Sequence, residues 1–165
     1  MKIAVRLVLF AAVVAVSFWL WTVLFPSPEK VIVKKINHLA TTTTLSASDG
    51  NLTRATKVGN LISYFATDAE ISFDVPELNA RTLSGRDEIR DVARAGFASL
   101  TTLNVQFFDV TARVGADKLT ADASCTARVN AGDKRDYAIQ ELHFQLKKID
   151  GDWLISRIET VKTLK

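Results

Sequence analysis

The feature that most constrains this chain is an apolar segment close to its N-terminus. Residues 7–25 contain only Ser17 and Thr22 as polar side chains, apart from two tryptophan indoles. As a helix, these nineteen residues span roughly 28 Å at about 1.5 Å each, which is close to the hydrocarbon thickness of a bilayer. Pro26 follows and ends such a helix. We therefore predict that residues 1–26 form a short tail and one transmembrane anchor.

A cleaved signal peptide is the main alternative to an anchor. Lys2 and Arg6 supply the positive region of such a peptide, and Ala15-Val16-Ser17 offers a small-residue cleavage site. That site lies inside the apolar run, and the run is long for a signal peptide, so an uncleaved anchor is favoured. A helix buried in a soluble fold would show polar residues along one face, and this segment shows almost none.

The charges that flank the segment indicate its orientation only weakly. Lys2, Arg6 and the terminal amine precede it, and three lysines follow it. The positive-inside rule and the signal-like charge pattern both favour a cytoplasmic N-terminus. We therefore expect a single-pass protein of the cytoplasmic (inner) membrane, with its soluble domain on the periplasmic or extracellular side.

Composition limits residues 27–165 to one ordinary globular domain. The apolar fraction of the chain is 48%, which is ample for a core. The net charge of +3 falls to +1 once Lys2 and Arg6 are set aside, and nucleic-acid-binding domains gather a larger basic excess on one face. We therefore expect no nucleic-acid partner. Cys125 is the only cysteine, so neither an intramolecular disulfide nor a cysteine-based zinc site is available.

Apolar periodicity predicts helices first and long strands afterwards. Three helices are predicted near residues 28–40, 52–65 and 85–100, with strands at 69–75 and 81–83 before the third helix. Four alternating segments follow at 104–114, 119–129, 137–147 and 153–161, separated by glycine-containing turns. The predicted fold class is α+β, a curved antiparallel sheet wrapped around three helices to form a cone with a pocket.

Two local features of this pattern are specific enough to check. Ser84 is a natural cap for the third helix, and Asp87 completes a capping box three residues later. On each of the first two long strands, every second residue is apolar and is expected to face the core. These residues are Phe108, Val110, Ala112 and Val114 on the segment 104–114, and Leu119, Ala121, Ala123 and Cys125 on the segment 119–129.

Three short motifs, together with this order of helices and strands, resemble those of a known family. Residues 64–71 read YFATDAEI, where a helix runs into a strand, residues 83–90 read LSGRDEIR at a helix start, and residues 149–157 read IDGDWLISR at the opening of the last strand. Together they resemble the nuclear transport factor 2-like superfamily, in its SnoaL-like, cystatin-like branch, over about residues 29–163. The resemblance implies a cone with an internal pocket and, in many members, a homodimer through the outer face of the sheet. Members include isomerases, cyclases, dehydratases, transport factors and non-enzymatic domains, so the fold alone does not specify the function.

Two residues are candidate general bases. The isomerases and cyclases of the family use a buried carboxylate or an Asp-His pair, and none of those positions can be matched to this chain. Asp74 follows Phe73 on the first strand, where it can point into the mouth of the cone, although a solvated strand-end carboxylate is the favoured interpretation. His143 has Glu141 on the same strand face, and such a pair can act as base and orienting group. Its polar neighbours favour a solvated or dimer-facing outer surface instead.

The aromatic residues Tyr64, Phe73 and Phe97 are the candidate ligand-binding residues. No metal-ligand spacing, phosphate-binding glycine loop or Ser-His-Asp pattern is present, so the sequence predicts neither metal nor cofactor. The favoured function is a membrane-anchored, non-catalytic domain that binds a small apolar ligand or a protein partner in or around the pocket. The alternatives are a SnoaL-like isomerase, cyclase or dehydratase, and an accessory subunit of a membrane complex.

Overall fold

The structure, a computed structural model, describes residues 14, 16, 17, 27–73, 81–132 and 137–161. Within these ranges no helix is long and apolar enough to cross a membrane. The membrane helix that the sequence predicts at 7–25 falls almost entirely outside them, so the anchor stays a prediction. Asp74 also lies outside the described residues.

The described part of the chain follows the predicted order of helices and strands. The helices are α1 (Pro28–Thr43), α2 (Asn51–Ile62) and α3 (Arg86–Ser99), and the strands are β1 (Phe65–Phe73), β2 (Arg81–Ser84), β3 (Leu103–Val114), β4 (Thr120–Ala131), β5 (Ala138–Ile149) and β6 (Asp152–Thr160). The predicted α+β class is confirmed. The largest difference in bounds is that β1 begins at Phe65 rather than at residue 69.

The six strands form one sheet in the order β2-β1-β6-β5-β4-β3. Strands β3 to β6 make the predicted antiparallel meander. β1 pairs in parallel with β6, which joins the first strand of the domain to the last one. The helices pack on one face of this sheet, where Ile32 and Ile36 of α1 share a buried cluster with Phe144 and Ile155 of the strands.

Alternation along β4 separates the inner from the outer face of the sheet. Ala121, Ala123 and Cys125 are buried, and the residues between them are exposed. Leu119 was expected to share the inner face, but it precedes the strand in the turn and is exposed. Farther along β4, the small buried residue Ala127 lines an open space between the sheet and the helices.

A bulge in β3 places one residue, Phe108, on the face opposite to the predicted one, whereas Val110, Ala112 and Val114 pack against the core as predicted. Phe107 and Val110 both pack against the core, because Asp109 adopts a φ of 53° between them, where the register with β4 shifts. Phe108 was predicted to face the core, and it lies on the outer face with 45% of its surface exposed. Strict alternation cannot reveal an inserted residue, since the inward side chains before and after it follow opposite phases, here Val105 and Phe107 before the bulge and Val110 after it.

The start of α3 also differs from the predicted capping box. Gly85 occupies the N-cap with a φ of 86°, a conformation that favours glycine, and no side chain caps the helix there. The Glu88 carboxylate instead accepts the Ser84 backbone N–H at 2.8 Å. Asp87, the expected partner of Ser84, pairs with Arg90.

Candidate ligand-binding cavity

An apolar cavity of about 410 Å³ lies between the helices and the inner face of the sheet. Each of the three helices and six strands contributes at least one residue to its lining. Its volume falls within the range of about 300–1,000 Å³ that is typical of small-molecule pockets.

The lining of this cavity is almost entirely hydrocarbon. Among the described residues that line it, Thr43 alone has a polar side chain, and its hydroxyl donates to the Leu39 carbonyl at 2.8 Å. No charged or titratable side chain belongs to this described lining. The cavity therefore offers apolar contact area, worth about 25 cal/mol per Å² of surface removed from water, and hardly any hydrogen-bonding partner.

Phe73 and Val92 mark the mouth of the cavity. Both line it and remain 41% and 37% exposed. Phe73 ends β1, and Val92 lies on the facing side of α3. Residue 74, which follows Phe73 in the sequence, lies outside the described residues.

Two small residues of α3, Ala93 and Gly96, help to keep the cavity open. A Cβ atom built on Gly96 would meet no heavy atom within 4 Å. A glycine inside a helix costs about 0.5–1 kcal/mol relative to alanine, so its presence there calls for a reason in packing or function. Sequence reasoning did not single out Gly96, although a glycine within a predicted helix is a readable signal.

The structure brings two of the three aromatic candidates to this cavity. Phe97 is buried in the wall and Phe73 lies at the mouth. Tyr64 is not among the described residues that line it. The backbone carbonyl of Tyr64 accepts a hydrogen bond from the Ile155 N–H at 2.9 Å, in the short connection between α2 and β1.

The Tyr64 side chain faces α1 instead. Its hydroxyl shares a hydrogen bond with Nδ1 of His38 and lies 3.5 Å from the Thr42 hydroxyl. The Lys35 ammonium lies 5.7 Å from the centre of its ring. Burial lowers the pKa of Lys35, and the negative charge of Asp152 acts in the opposite direction. This cluster joins α1 to the β1 and β6 end of the sheet, away from the cavity lining.

His143 lies on the outer face of β5. Its Nε2 is 3.5 Å from Oδ1 of Asp122, and its cross-strand neighbours are Ser124 and Glu159. The adjacent Phe144 points inward and is fully buried. His143 is therefore separated from the cavity by the sheet and is not part of the described lining.

Cys125 is an inward residue of β4 with the properties predicted for a small buried side chain. Burial raises the pKa of its thiol to about 12. The thiol therefore stays protonated near neutral pH, and a protonated thiol is a poor nucleophile. Across the described residues, no three of the His, Cys, Asp and Glu side chains come together as a metal site would require.

Comparison with known proteins agrees with this architecture. The family model for a SnoaL-like domain matches residues 44–159. A search of curated proteins finds no match. Among solved structures, a candidate scytalone dehydratase from Novosphingobium aromaticivorans has 15% identity and a TM-score of 0.60, covering 82% of this chain and 83% of its own.

Two further structures have the same fold. An NTF2-like protein of unknown function from Pseudomonas putida has 14% identity and a TM-score of 0.60, with 82% of this chain and 89% of that one covered. A candidate aromatic ring hydroxylase from Novosphingobium aromaticivorans has 13% identity and a TM-score of 0.55, with 67% and 78% covered. With the predicted resemblance thus confirmed, the chain belongs to the SnoaL-like family and has its cystatin-like, NTF2-like α+β fold.

Proposed function

We propose that this domain binds a small apolar molecule in the cavity between its helices and its sheet. The supporting observation is the lining, which is hydrocarbon throughout its described part except for the engaged hydroxyl of Thr43. A concave, mainly apolar space of about 410 Å³ that opens to solvent at Phe73 and Val92 has the size and character of a small-molecule site. An apolar ligand there would remove apolar surface from water and gain packing contacts with the wall.

The lining also limits the chemistry of the ligand. A charged group buried in this part of the cavity would lose its hydration without gaining a partner, which is costly. Phe107 and Phe144 meet edge to face with ring centres 6.0 Å apart, and Phe97 and Phe73 add two further rings to the wall. Aromatic walls of this kind suit planar or unsaturated hydrocarbon ligands.

We further propose that the segment 7–25 holds the domain at the inner membrane, with the domain on the periplasmic or extracellular side. The chain enters the domain at Pro28, and Thr43, which lines the cavity, ends the same helix. At about 1.5 Å per residue, the two ends of α1 are about 22 Å apart. The residues that α1 contributes to the lining, Leu39 and Thr43, lie in the half of the helix that is farther from the proposed anchor.

A variant that fills the cavity tests the proposal that the domain binds a small apolar molecule there. The full-length protein is titrated with the uncharged fluorescent probe N-phenyl-1-naphthylamine, with protein-free detergent as the blank. Gly96→Leu places a side chain in the open space of the cavity and should weaken probe binding at least about tenfold, because one site cannot hold both groups.

Gly59→Leu is the matched control for this titration. Gly59 is also a helical glycine with no heavy atom near its missing Cβ, and it does not line the cavity. The control should bind the probe as wild type does. Unchanged probe affinity in a folded Gly96→Leu protein, judged by circular dichroism, would count against the proposal.

A SnoaL-like dehydratase, isomerase or cyclase is the second candidate function. Membership of the family and the position of Asp74, which follows the cavity-lining Phe73, favour it. His143 lies on the other face of the sheet and outside the described lining, so Asp74 is the candidate base that we propose for such a reaction. Turnover of a hydroxylated substrate that is lost in Asp74→Asn and retained in Asp68→Asn would support catalysis and displace the non-catalytic proposal.

A further inference from the structure

A second concavity lies on the helical side of the molecule, away from the sheet. It is a groove of about 430 Å³ between α2 and α3. Its described lining combines small or apolar residues such as Ala55, Val58 and Phe97 with one amide, Asn51, and three arginines, and it includes no acidic residue. The arginines are Arg54, Arg90 and Arg94. An apolar floor with a cationic rim is complementary to a molecule that is apolar at one end and anionic at the other.

The three guanidinium groups are not equally available. Arg54 donates to the backbone carbonyls of Asp49, Phe97, Leu100 and Thr101, so it ties α2 to the end of α3. Arg90 pairs with Asp87 on its own helix. Exposed pairs three residues apart are worth only a few tenths of a kcal/mol, so an incoming anion can compete for this arginine.

Arg94 is the open cation of the groove. Its side chain is exposed, and no hydrogen bond or ion pair within the described ranges engages its guanidinium. Arg90 and Arg94 are four residues apart on one helix, so they lie on the same face. Two neighbouring guanidiniums can both donate to a single carboxylate or sulfonate, which is the strong form of such contacts.

The charge around the groove favours a small anion over a polyanion or a membrane surface. α3 carries three basic and three acidic residues and α2 adds only Arg54 and Lys57, so the two helices together have a net charge of no more than +2. A surface that adsorbs anionic lipid or nucleic acid needs a broad excess of basic residues. Here the positive charge is concentrated at the rim of one concavity.

We propose that the groove between α2 and α3 is a binding site for a small amphipathic anion, with an apolar body on Val58 and Phe97 and an anionic head at Arg90 and Arg94. Phe97 lines both this groove and the central cavity, so its ring forms the wall between the two sites. The groove therefore accepts the charged class of ligand that the described lining of the cavity would not stabilise. This inference does not rest on the proposed function of the cavity.

A pair of probes that share one ring system separates the two sites. 1-Anilinonaphthalene-8-sulfonate carries a sulfonate, whereas N-phenyl-1-naphthylamine has the same rings without it. In the full-length protein, Arg90→Gln combined with Arg94→Gln should weaken binding of the sulfonate probe at least about tenfold and leave the uncharged probe unaffected. Arg113→Gln, on the exposed outer face of β3, removes one charge elsewhere and should change neither affinity.

The two glycine variants give the reciprocal check. Gly59 lines the groove, and Gly59→Leu should reduce binding of the sulfonate probe, whereas Gly96→Leu should not. The proposal is overturned if the double arginine variant binds the sulfonate probe like wild type. It is equally overturned if Gly96→Leu alone abolishes that binding, since the probe would then occupy the cavity. Neither outcome affects the result with the uncharged probe, so failure of the groove and failure of the cavity are distinguishable.

Discussion

The two faces of the sheet are built from alternate residues of the same strands, yet they are held by different kinds of contact. Inward residues such as Phe144 and Ile155 are fully buried among apolar neighbours. Outward residues form charged pairs that remain in contact with water, as between Lys147 and Asp68 at 3.1 Å or Arg157 and Glu70 at 3.5 Å. The inner face therefore supplies stability and the cavity, and the outer face supplies solubility and local pairing.

The difference between adjacent residues of β5 gives the largest expected effect. Phe144→Ala removes a fully buried ring and its edge contact with Phe107, so the free energy of unfolding should fall by about 3–5 kcal/mol. His143→Ala, one residue earlier on the outer face, should change it by no more than about 0.5 kcal/mol. Denaturant unfolding of the two variants measures both values. Similar losses in the two variants would break the distinction between the faces.

Cys125 tests the inner face at alkaline pH. Burial raises the pKa of its thiol from 9.0 to about 12 in the folded protein, so the folded state keeps the proton more tightly than the unfolded state does. The stability due to this residue is therefore fully present below pH 9.0 and is lost as the pH rises toward 12. Stability measured across this window should fall less steeply in Cys125→Ala.

A second measurement checks the same thiol directly. At pH 8 the folded protein should react with a thiol reagent far more slowly than the protein in denaturant, because the buried thiol is both protonated and inaccessible. Rapid modification of the folded protein at this pH would show that the inner face opens to solvent near β4.

Gly96→Ala tests whether every inward-facing position contributes fully to stability. Gly96 lies in the apolar wall of the cavity, where glycine stabilises the helix less than alanine would. The new methyl group meets no heavy atom within 4 Å, and alanine is the better helix former. We expect a gain of about 0.5–1 kcal/mol in the free energy of unfolding. A loss in thermal and denaturant unfolding would mean that the space at Gly96 is not open.

The smallest expected change in stability is at Asp68. This residue tests the pH dependence of stability on the outer face, as Cys125 does on the inner face. The hydrogen bond from Lys147 holds the pKa of this carboxyl below its usual range. Its contribution is therefore present above a pH of about 4 and is lost as the pH falls further. Because both side chains are well exposed, Asp68→Asn should cost only a few tenths of a kcal/mol at neutral pH. The pH dependence of unfolding below pH 5 should become slightly flatter in this variant.

Local patterns were sufficient for much of the fold. The meander from β3 to β6 follows from alternation and from turns such as Asp150-Gly151, where φ values of 52° and 90° match the residue types. The three family motifs span the helix-to-strand junction, the start of α3 and the start of β6, and the SnoaL-like match covers all three. The outer position of His143 also agrees with the polarity of its strand face.

Other features depended on contacts that no local pattern contains. The bulge at Asp109 changes the side on which Phe108 lies, and although Asp tolerates a positive φ, a single such residue within a strand pattern does not specify a shift of register. The parallel pairing of β1 with β6 joins segments far apart in the chain. Tyr64 turns toward His38 of α1 and not into the cavity, a contact between residues 26 positions apart in the chain.

The sequence by itself determined the order of the elements, the inward and outward phases of most strands, the family, and the prediction of an N-terminal anchor. Those properties are local, since hydrophobic periodicity and turn chemistry are read over a few residues. Only the tertiary structure decided where space remains. The cavity exists because small residues such as Gly96 and Ala127, far apart along the chain, meet in one place. The groove likewise exists only because α2 and α3 pack side by side, which brings Gly59 beside Arg90 and Arg94.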